Sequence, residues 1–323
     1  MSRPPVFPPP FPPPRPRPFG RTPPAIFLPV VGLLALGLVL REAAALWGLN
    51  GAVAEALLGA TTGLGGFAVA AYLAKVVQRP GVLAEDLRVL PGRAGLAAAV
   101  TGLFLLAAAL APYGAGAAHG VLLAGLGLAG LLAAGVAVQI LRGPPEGRII
   151  SPVHHLVFAG FVLAGLPAAT SGWEIPALAL LLLAMPVAGW IWVASLAQII
   201  ARVPPAPLRP LLALHLLPAA AMGLVAETLA LHALAWVMAG IGGAILAALV
   251  VTGRWGLAAG FSPLWGAMTL PLAVFAGLML ALWPPLGAGL LLGSLFTIPP
   301  IAAQILRDWA KGGLAARTNA AQA

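Results

Sequence analysis

The sequence predicts an all-α integral membrane protein whose ten transmembrane helices form five helical hairpins. Three observations predict it. Of the 323 residues, 61% are hydrophobic and only 8% are charged, whereas soluble domains carry about 25% charged residues. So few charges cannot give a soluble fold of this size a polar surface. Ten apolar runs of spanning length follow one another, and the basic residues fall between those runs on alternate sides.

The first segment, residues 1–24, is rich in proline and ends at Arg21-Thr22-Pro23-Pro24. It has no apolar face to bury, so a disordered or polyproline II cytoplasmic tail is expected. Proline interrupts its basic region and no cleavage site follows the first apolar run, which argues against a secretory signal peptide. It is either an unstructured leader or an arm for a polyproline-binding partner. The membrane domain runs over 25–306. Its spans lie at roughly 25–46, 52–77, 93–111, 116–141, 153–171, 175–200, 210–229, 231–252, 261–282 and 285–306, near the ~20 apolar residues that a bilayer requires. A cytoplasmic C-terminal tail, 307–323, completes the chain.

Charge tests that count. Arg3, Arg15, Arg17 and Arg21 precede span 1, and Lys75, Arg79, Arg88 and Arg93 flank the link from span 2 to span 3. Arg142 and Arg148 follow span 4, Arg202 and Arg209 follow span 6, and Arg254 follows span 8. Arg307, Lys311 and Arg317 follow span 10. Only Arg41, beside Glu42, is left for the other side among the 17 Lys and Arg residues. The positive-inside rule puts the basic side and both termini in the cytoplasm, with the chain in the cell inner (plasma) membrane. A miscounted span would scramble this alternation.

Outer links are short and nearly uncharged, such as Pro112-Tyr113-Gly114-Ala115 and Ser171-Gly172-Trp173-Glu174, so consecutive spans pair as hairpins closed on the outside. The net charge of +9 follows from this topology. The expected partner is the lipid bilayer, not nucleic acid. The absence of cysteine excludes disulfides, thiolate metal sites and cysteine nucleophiles.

Ionisable groups inside a bilayer are functional candidates because burying them is costly. Glu55, one turn into span 2, and Glu227, near the outer end of span 7, are candidates for proton or ion coupling; hydration at the interface is the alternative. His215, one turn into span 7, is a third candidate and is placed to face a vestibule. His154 and His155 open span 5. Adjacent residues point about 100° apart on a helix, so they suit a first-turn surface position better than one metal site. No Glu-x-x-His pair, His-x-x-x-His pair, Gly-x-Ser-x-Gly elbow or paired acidic motif is present. No enzyme activity, metal or cofactor is therefore expected. Mid-depth positions are apolar, whereas coupled pumps use carboxylates there. That favours passive conduction, in which an ion must be held weakly enough to leave.

Span 9 carries one bulky side chain on a face of small residues. With Gly266 at 0°, Leu270 falls at about 40°, Ala273 at about −20° and Gly277 at about 20°. On a pore-lining helix this makes Leu270 a hydrophobic constriction; the alternative is a small-residue stripe for close helix packing. Prolines also recur in odd spans, at Pro29, Pro167, Pro218 and Pro271, and are expected to kink them.

Three local strings complete a resemblance: Thr22-Pro23-Pro24-Ala25-Ile26-Phe27 before span 1, Ser151-Pro152-Val153-His154-His155-Leu156 at span 5, and Phe261-Ser262-Pro263-Leu264-Trp265-Gly266-Ala267 at span 9. With the hairpin pattern and the odd-span prolines, they resemble the tellurite-resistance and dicarboxylate transporter family. That family takes in bacterial TehA-like proteins, yeast malate permeases and the slow anion channels of plant guard cells. The resemblance covers about residues 22–318. It implies a quasi-fivefold arrangement with the odd helices as an inner ring around a central pore, and homotrimers with one pore per protomer. The family's aromatic–Thr/Ser–Phe–Pro/Gly string falls on Met268-Thr269-Leu270-Pro271. That places the gate position at Leu270, with leucine where the family has phenylalanine. Phe158 and Phe161 are the aromatic side chains available to add bulk.

The expected activity is the passage of small inorganic or organic anions through a hydrophobic pore. The alternative is a proton-linked exporter of dicarboxylates or of tellurite. A membrane-embedded lipid enzyme would need a cluster of acids or histidines on one face. A scaffold protein would use the proline arm.

Overall fold

The computed structural model describes residues 18–143 and 148–323; most of the predicted proline tail, residues 1–17, lies outside them. Among the described residues the chain is all helical, with no strand. In chain order the helices are α1 (Phe27–Leu46), α2 (Ala52–Gln78), α3 (Val82–Arg88), α4 (Leu90–Leu110) and α5 (Ala115–Arg142). Then come α6 (Val153–Phe158), α7 (Gly165–Thr170), α8 (Glu174–Ala201), α9 (Leu216–Thr228), α10 (His232–Val251), α11 (Gly253–Gly256), α12 (Gly266–Leu282), α13 (Pro284–Ala310) and α14 (Leu314–Arg317). Nine helical stretches among the described residues are long and apolar enough to cross a bilayer, the architecture of a multi-pass membrane protein.

The fifth predicted span departs from expectation. Residues 153–170 divide into α6, a 3-10 stretch (Gly160–Ala164) and α7. Ala159, at φ −125° and ψ −11°, leaves the α-helical region. Pro167 offers no N–H to the carbonyl four residues before it. The α ladder therefore closes as separate turns.

The odd-span prolines fall at a recurring place in their spans. Pro29, Pro167 and Pro218 each occupy the third residue of an α-helix, namely α1, α7 and α9. The first turn has no intrahelical acceptors for its N–H groups, so a missing donor costs little there. A 3-10 stretch precedes each of these helices: Pro24–Ile26, Gly160–Ala164 and Ala206–His215. These prolines start the α-helix. Pro271 differs: it lies inside α12, itself preceded by a 3-10 turn at Pro263–Trp265.

Packing sorts the segments into two layers. The α1, α4, α9 and α12 stretches are buried over 61–78% of their most apolar residues, and the other five long helices over 17–33%. The segment 153–170 is also largely buried. These five buried segments touch in a closed cycle: α1 on α4, α4 on the 153–170 segment, that segment on α9, α9 on α12, and α12 back on α1. The more exposed helices pack behind them, with α2 on α1, α5 on α4, α8 on α7, α10 on α9 and α13 on α12.

Each joint of the cycle has a glycine where two chains meet. A Cβ on Gly32 of α1 would collide with Thr269 of α12, and one on Gly95 of α4 would collide with the carbonyl of Pro24 ahead of α1. Gly160, Gly165 and Gly223 make the same kind of approach to Thr101, Val225 and Leu278. At the first joint the Thr269 hydroxyl donates to the carbonyls of Leu28 (3.1 Å) and Gly266 (2.7 Å).

A fully buried ion pair holds the basic end together. Lys75 Nζ lies 2.8 Å from Asp86 Oδ2 and also donates to the Thr22 carbonyl at 3.1 Å. Asp86 further accepts from the Tyr72 hydroxyl (2.9 Å) and the Ala321 N–H (2.9 Å). Residues 18–24, expected within the disordered tail, are therefore packed: Gly20, Thr22, Pro23 and Pro24 are buried, and the N–H of Ala323 donates to the Gly20 carbonyl. The Thr22 and Ala321 stretches thus meet at the Lys75–Asp86 pair.

Two outcomes are expected. Asp86→Asn leaves the Lys75 ammonium buried without its counter-charge and should destabilise the protein by about 3–5 kcal/mol. The Lys75→Met/Asp86→Leu double variant should recover part of that loss; thermal unfolding in detergent reads both. Gly32→Val overfills the α1–α12 joint and should cost about 1–3 kcal/mol. Gly59→Ala is the control: nothing lies within 4 Å of a Cβ there, so it should cost nothing and gain up to about 1 kcal/mol of helix propensity.

Candidate functional site

The face of α12 that the sequence singled out is buried. Leu270 is 2% exposed and Ala273 is fully buried. A Cβ on Gly277 would lie 3.0 Å from Val39 of α1 and 3.8 Å from Leu224 of α9. Gly277 thus faces the space between two neighbours of α12. Gly266, expected to line the same passage, is instead a packing position: its Cβ would lie 3.0 Å from Leu28, 3.1 Å from Ile305 and 3.2 Å from Pro29. Small size there serves the crossing of α12 with α1 and α13. Phe158 and Phe161 are half-buried and pack against the core. Phe158 stacks on His154 with ring centres 5.8 Å apart.

The histidines correct a sequence reading. His154 and His155, expected at a first-turn surface, are both fully buried. His155 Nε2 lies 3.0 Å from His215 Nδ1, and His215 Nε2 lies 3.1 Å from the Ser195 hydroxyl. This row links α6, the 3-10 stretch before α9, and α8. The Trp192 indole N–H donates to the His215 carbonyl at 3.1 Å. The other ring nitrogen of His155, Nδ1, is buried without a hydrogen-bond partner. His215, placed at a vestibule by the sequence, is thus engaged on both nitrogens. Ser195 was missed, although a hydroxyl six residues from the end of an apolar span was a visible signal.

His154 takes a different partner. Its Nδ1 meets the Ser151 carbonyl at 3.0 Å, and Arg93 Nη1 approaches its Nε2 at 3.3 Å. Arg93 is 2% exposed and donates to the Leu87 carbonyl. No described carboxylate lies within 4 Å of it. It is a buried cation at one end of α4, beside the start of α6. Lys75, by contrast, is neutralised by Asp86. Arg79 pairs with Glu85 through two 2.8 Å contacts, and its guanidinium holds that carboxyl below the usual carboxylate value. Of the other basic residues on the links, Arg88, Arg142 and Arg148 are exposed.

Glu55 and Glu227 do not join the histidine row. Glu55 receives a two-pronged contact from Arg41, at 2.6 and 2.7 Å, so Arg41 pairs across to α2 and not with its neighbour Glu42. The Tyr113 hydroxyl also donates to Glu55, which pushes the phenol pKa up, and Arg41 Nη1 donates to the Ala109 carbonyl at 3.1 Å. This node ties α1, α2 and the end of α4 at the face opposite the basic links. Glu227 meets His232 Nδ1 at 2.9 Å on that same face. Among the described residues, no three His, Asp or Glu side chains gather in a metal-binding group.

No protein-family model and no curated protein matches the chain.

Replacing His215 by leucine strands His155 Nε2 and the Ser195 hydroxyl in apolar surroundings. Each stranded group costs about 1–3 kcal/mol. His215→Leu is therefore expected to lower the unfolding temperature in detergent more than Ser195→Ala does. Equal shifts would mean that the His155 contact adds nothing to stability beyond the Ser195 contact.

Proposed function

We propose that the chain is a non-enzymatic anion conduit of the tellurite-resistance and dicarboxylate transporter type. In this reading it crosses the membrane ten times, as five hairpins around a central pore, with 153–170 as the fifth crossing. Both termini are cytoplasmic in the inner (plasma) membrane, and protomers assemble as trimers with one pore each. The observation that carries the reading is the closed cycle of five buried segments. In this reading the cycle encloses an axis, which Leu270, Ala273 and Gly277 face from α12. An apolar axis binds ions weakly, as conduction requires. Leu270 is the constriction, and the buried Arg93 cation attracts anions towards the basic mouth. The lack of a described carboxylate partner is what leaves its field uncancelled.

The test is flux through purified protein in proteoliposomes, with chloride, nitrate, malate and tellurite as probes. Leu270→Ala should raise flux several-fold without a pH gradient, and Leu270→Phe should lower it. Unchanged flux in both variants would remove Leu270 from the path.

A second reading, the proton-linked exporter, is favoured by the Ser195–His215–His155 row. Buried imidazoles in series can pass a proton along hydrogen bonds. Glu55 is a weaker candidate, because Arg41 and Tyr113 already engage it. On this reading flux requires a pH gradient, and His215→Asn abolishes that requirement.

A further inference from the structure

On the flank of the cycle, a groove of about 240 Å³ opens between α9, α10 and α12. Its walls are apolar: Leu216 from α9, Leu246 and Leu249 from α10, and Met268 and Leu272 from α12. Four of these five side chains are only partly buried, so the groove faces outward, where a bilayer surrounds the helices. At one end it is closed by Arg209 and Trp255. These two residues stand at the basic end of the molecule, since Arg209 and the α11 link both follow spans that end on that side.

The geometry points to a binding site for one anionic glycerophospholipid, with an acyl chain in the groove and its phosphate on Arg209. The guanidinium is already held in place: it lies 4.2 Å above the Trp255 ring, and it donates to the carbonyls of Trp255 and Pro204 at 3.0 Å each. Those contacts use two of its five N–H donors. No described carboxylate lies within 4 Å to neutralise it. The remaining donors suit a phosphate, which a planar guanidinium recognises in a two-pronged manner. Trp255 is the kind of side chain that settles at headgroup depth. Arg254, exposed between the lining residues Gly253 and Trp255, adds a second positive charge at the same level. Basic pockets between membrane helices select acidic headgroups by this combination of charge and apolar wall. The α12 wall includes Pro271, next to Leu270, so an occupant touches that helix at its internal proline. The site requires only that the helices lie in lipid, and it is independent of what the chain conducts.

The test is native mass spectrometry of the full chain released from detergent, titrated with phosphatidylglycerol or phosphatidylcholine of the same acyl composition. One basic residue at a headgroup corresponds to about a five-fold preference for the acidic lipid. We expect that preference in the wild type, a smaller one in Arg209→Lys, which keeps the charge but not the two-pronged geometry, and a several-fold fall in Arg209→Gln, where only Arg254 remains. Leu249→Trp, which fills the groove and leaves Arg209 intact, should reduce retention of both lipids several-fold. Equal retention of the two lipids by the wild type would overturn the proposal, as would a preference undiminished in Arg209→Gln. Displacement of phosphatidylglycerol by millimolar inorganic phosphate, or indifference to Leu249→Trp, would reduce the site to a surface arginine and also overturn it.

Discussion

Lipid gives helices no reason to associate through leucine against leucine, because the surrounding acyl chains are equally apolar. Whatever holds this fold together must come from contacts that lipid cannot match. The cycle of buried segments meets that constraint with close backbone approach. Every joint carries a glycine whose missing side chain makes room for the neighbour: Gly32, Gly95, Gly160, Gly165 and Gly223. Close approach multiplies dispersion contacts, each small and collectively large. It also brings the Thr269 hydroxyl to the Leu28 carbonyl, adding a polar tie where no water competes.

Polar ties at the two ends fix how the helices sit along their axes. At the basic end, Asp86 gathers Lys75, Tyr72 and the Ala321 N–H, while Lys75 reaches the Thr22 carbonyl. At the opposite end, Glu55 gathers Arg41 and Tyr113, while Arg41 reaches the Ala109 carbonyl. Each node joins a charge pair to a carbonyl or N–H on a third segment. A buried pair is costly to desolvate and is stabilising only when its remaining lone pairs and protons are satisfied; at Asp86 they are. The middle of the bundle is left almost free of charge between these nodes.

The groups not absorbed by these ties carry the functional reading. Arg93 is buried near the start of α4, beside the ring of His154. The Ser195–His215–His155 row lies within the buried layers, with one imidazole nitrogen left over. Arg209 stands at the rim of an outward-facing groove. Arg93, the histidine row and Arg209 are thus the polar groups that the structural ties leave over.

The membrane class, the approximate span positions and the alternation of basic links were legible in the sequence. Each depends on how residues partition between water and lipid, which composition and spacing report directly. The sequence also isolated Leu270, because a helical wheel needs only local geometry. It could not distinguish a proline that kinks a helix from one that begins it. At Pro29, Pro167 and Pro218 the answer lies in whether a 3-10 stretch or an α-helix precedes it, a choice set by neighbouring segments. Nor could it pair Lys75 with Asp86, Arg41 with Glu55, or His155 with His215, since those partners lie 11, 14 and 60 residues apart. The closed cycle is more remote still: Thr269 bonds Leu28 across 241 positions. Composition chose the solvent and so the class of fold, whereas contacts between distant segments decided which polar groups are spent on structure and which remain for function.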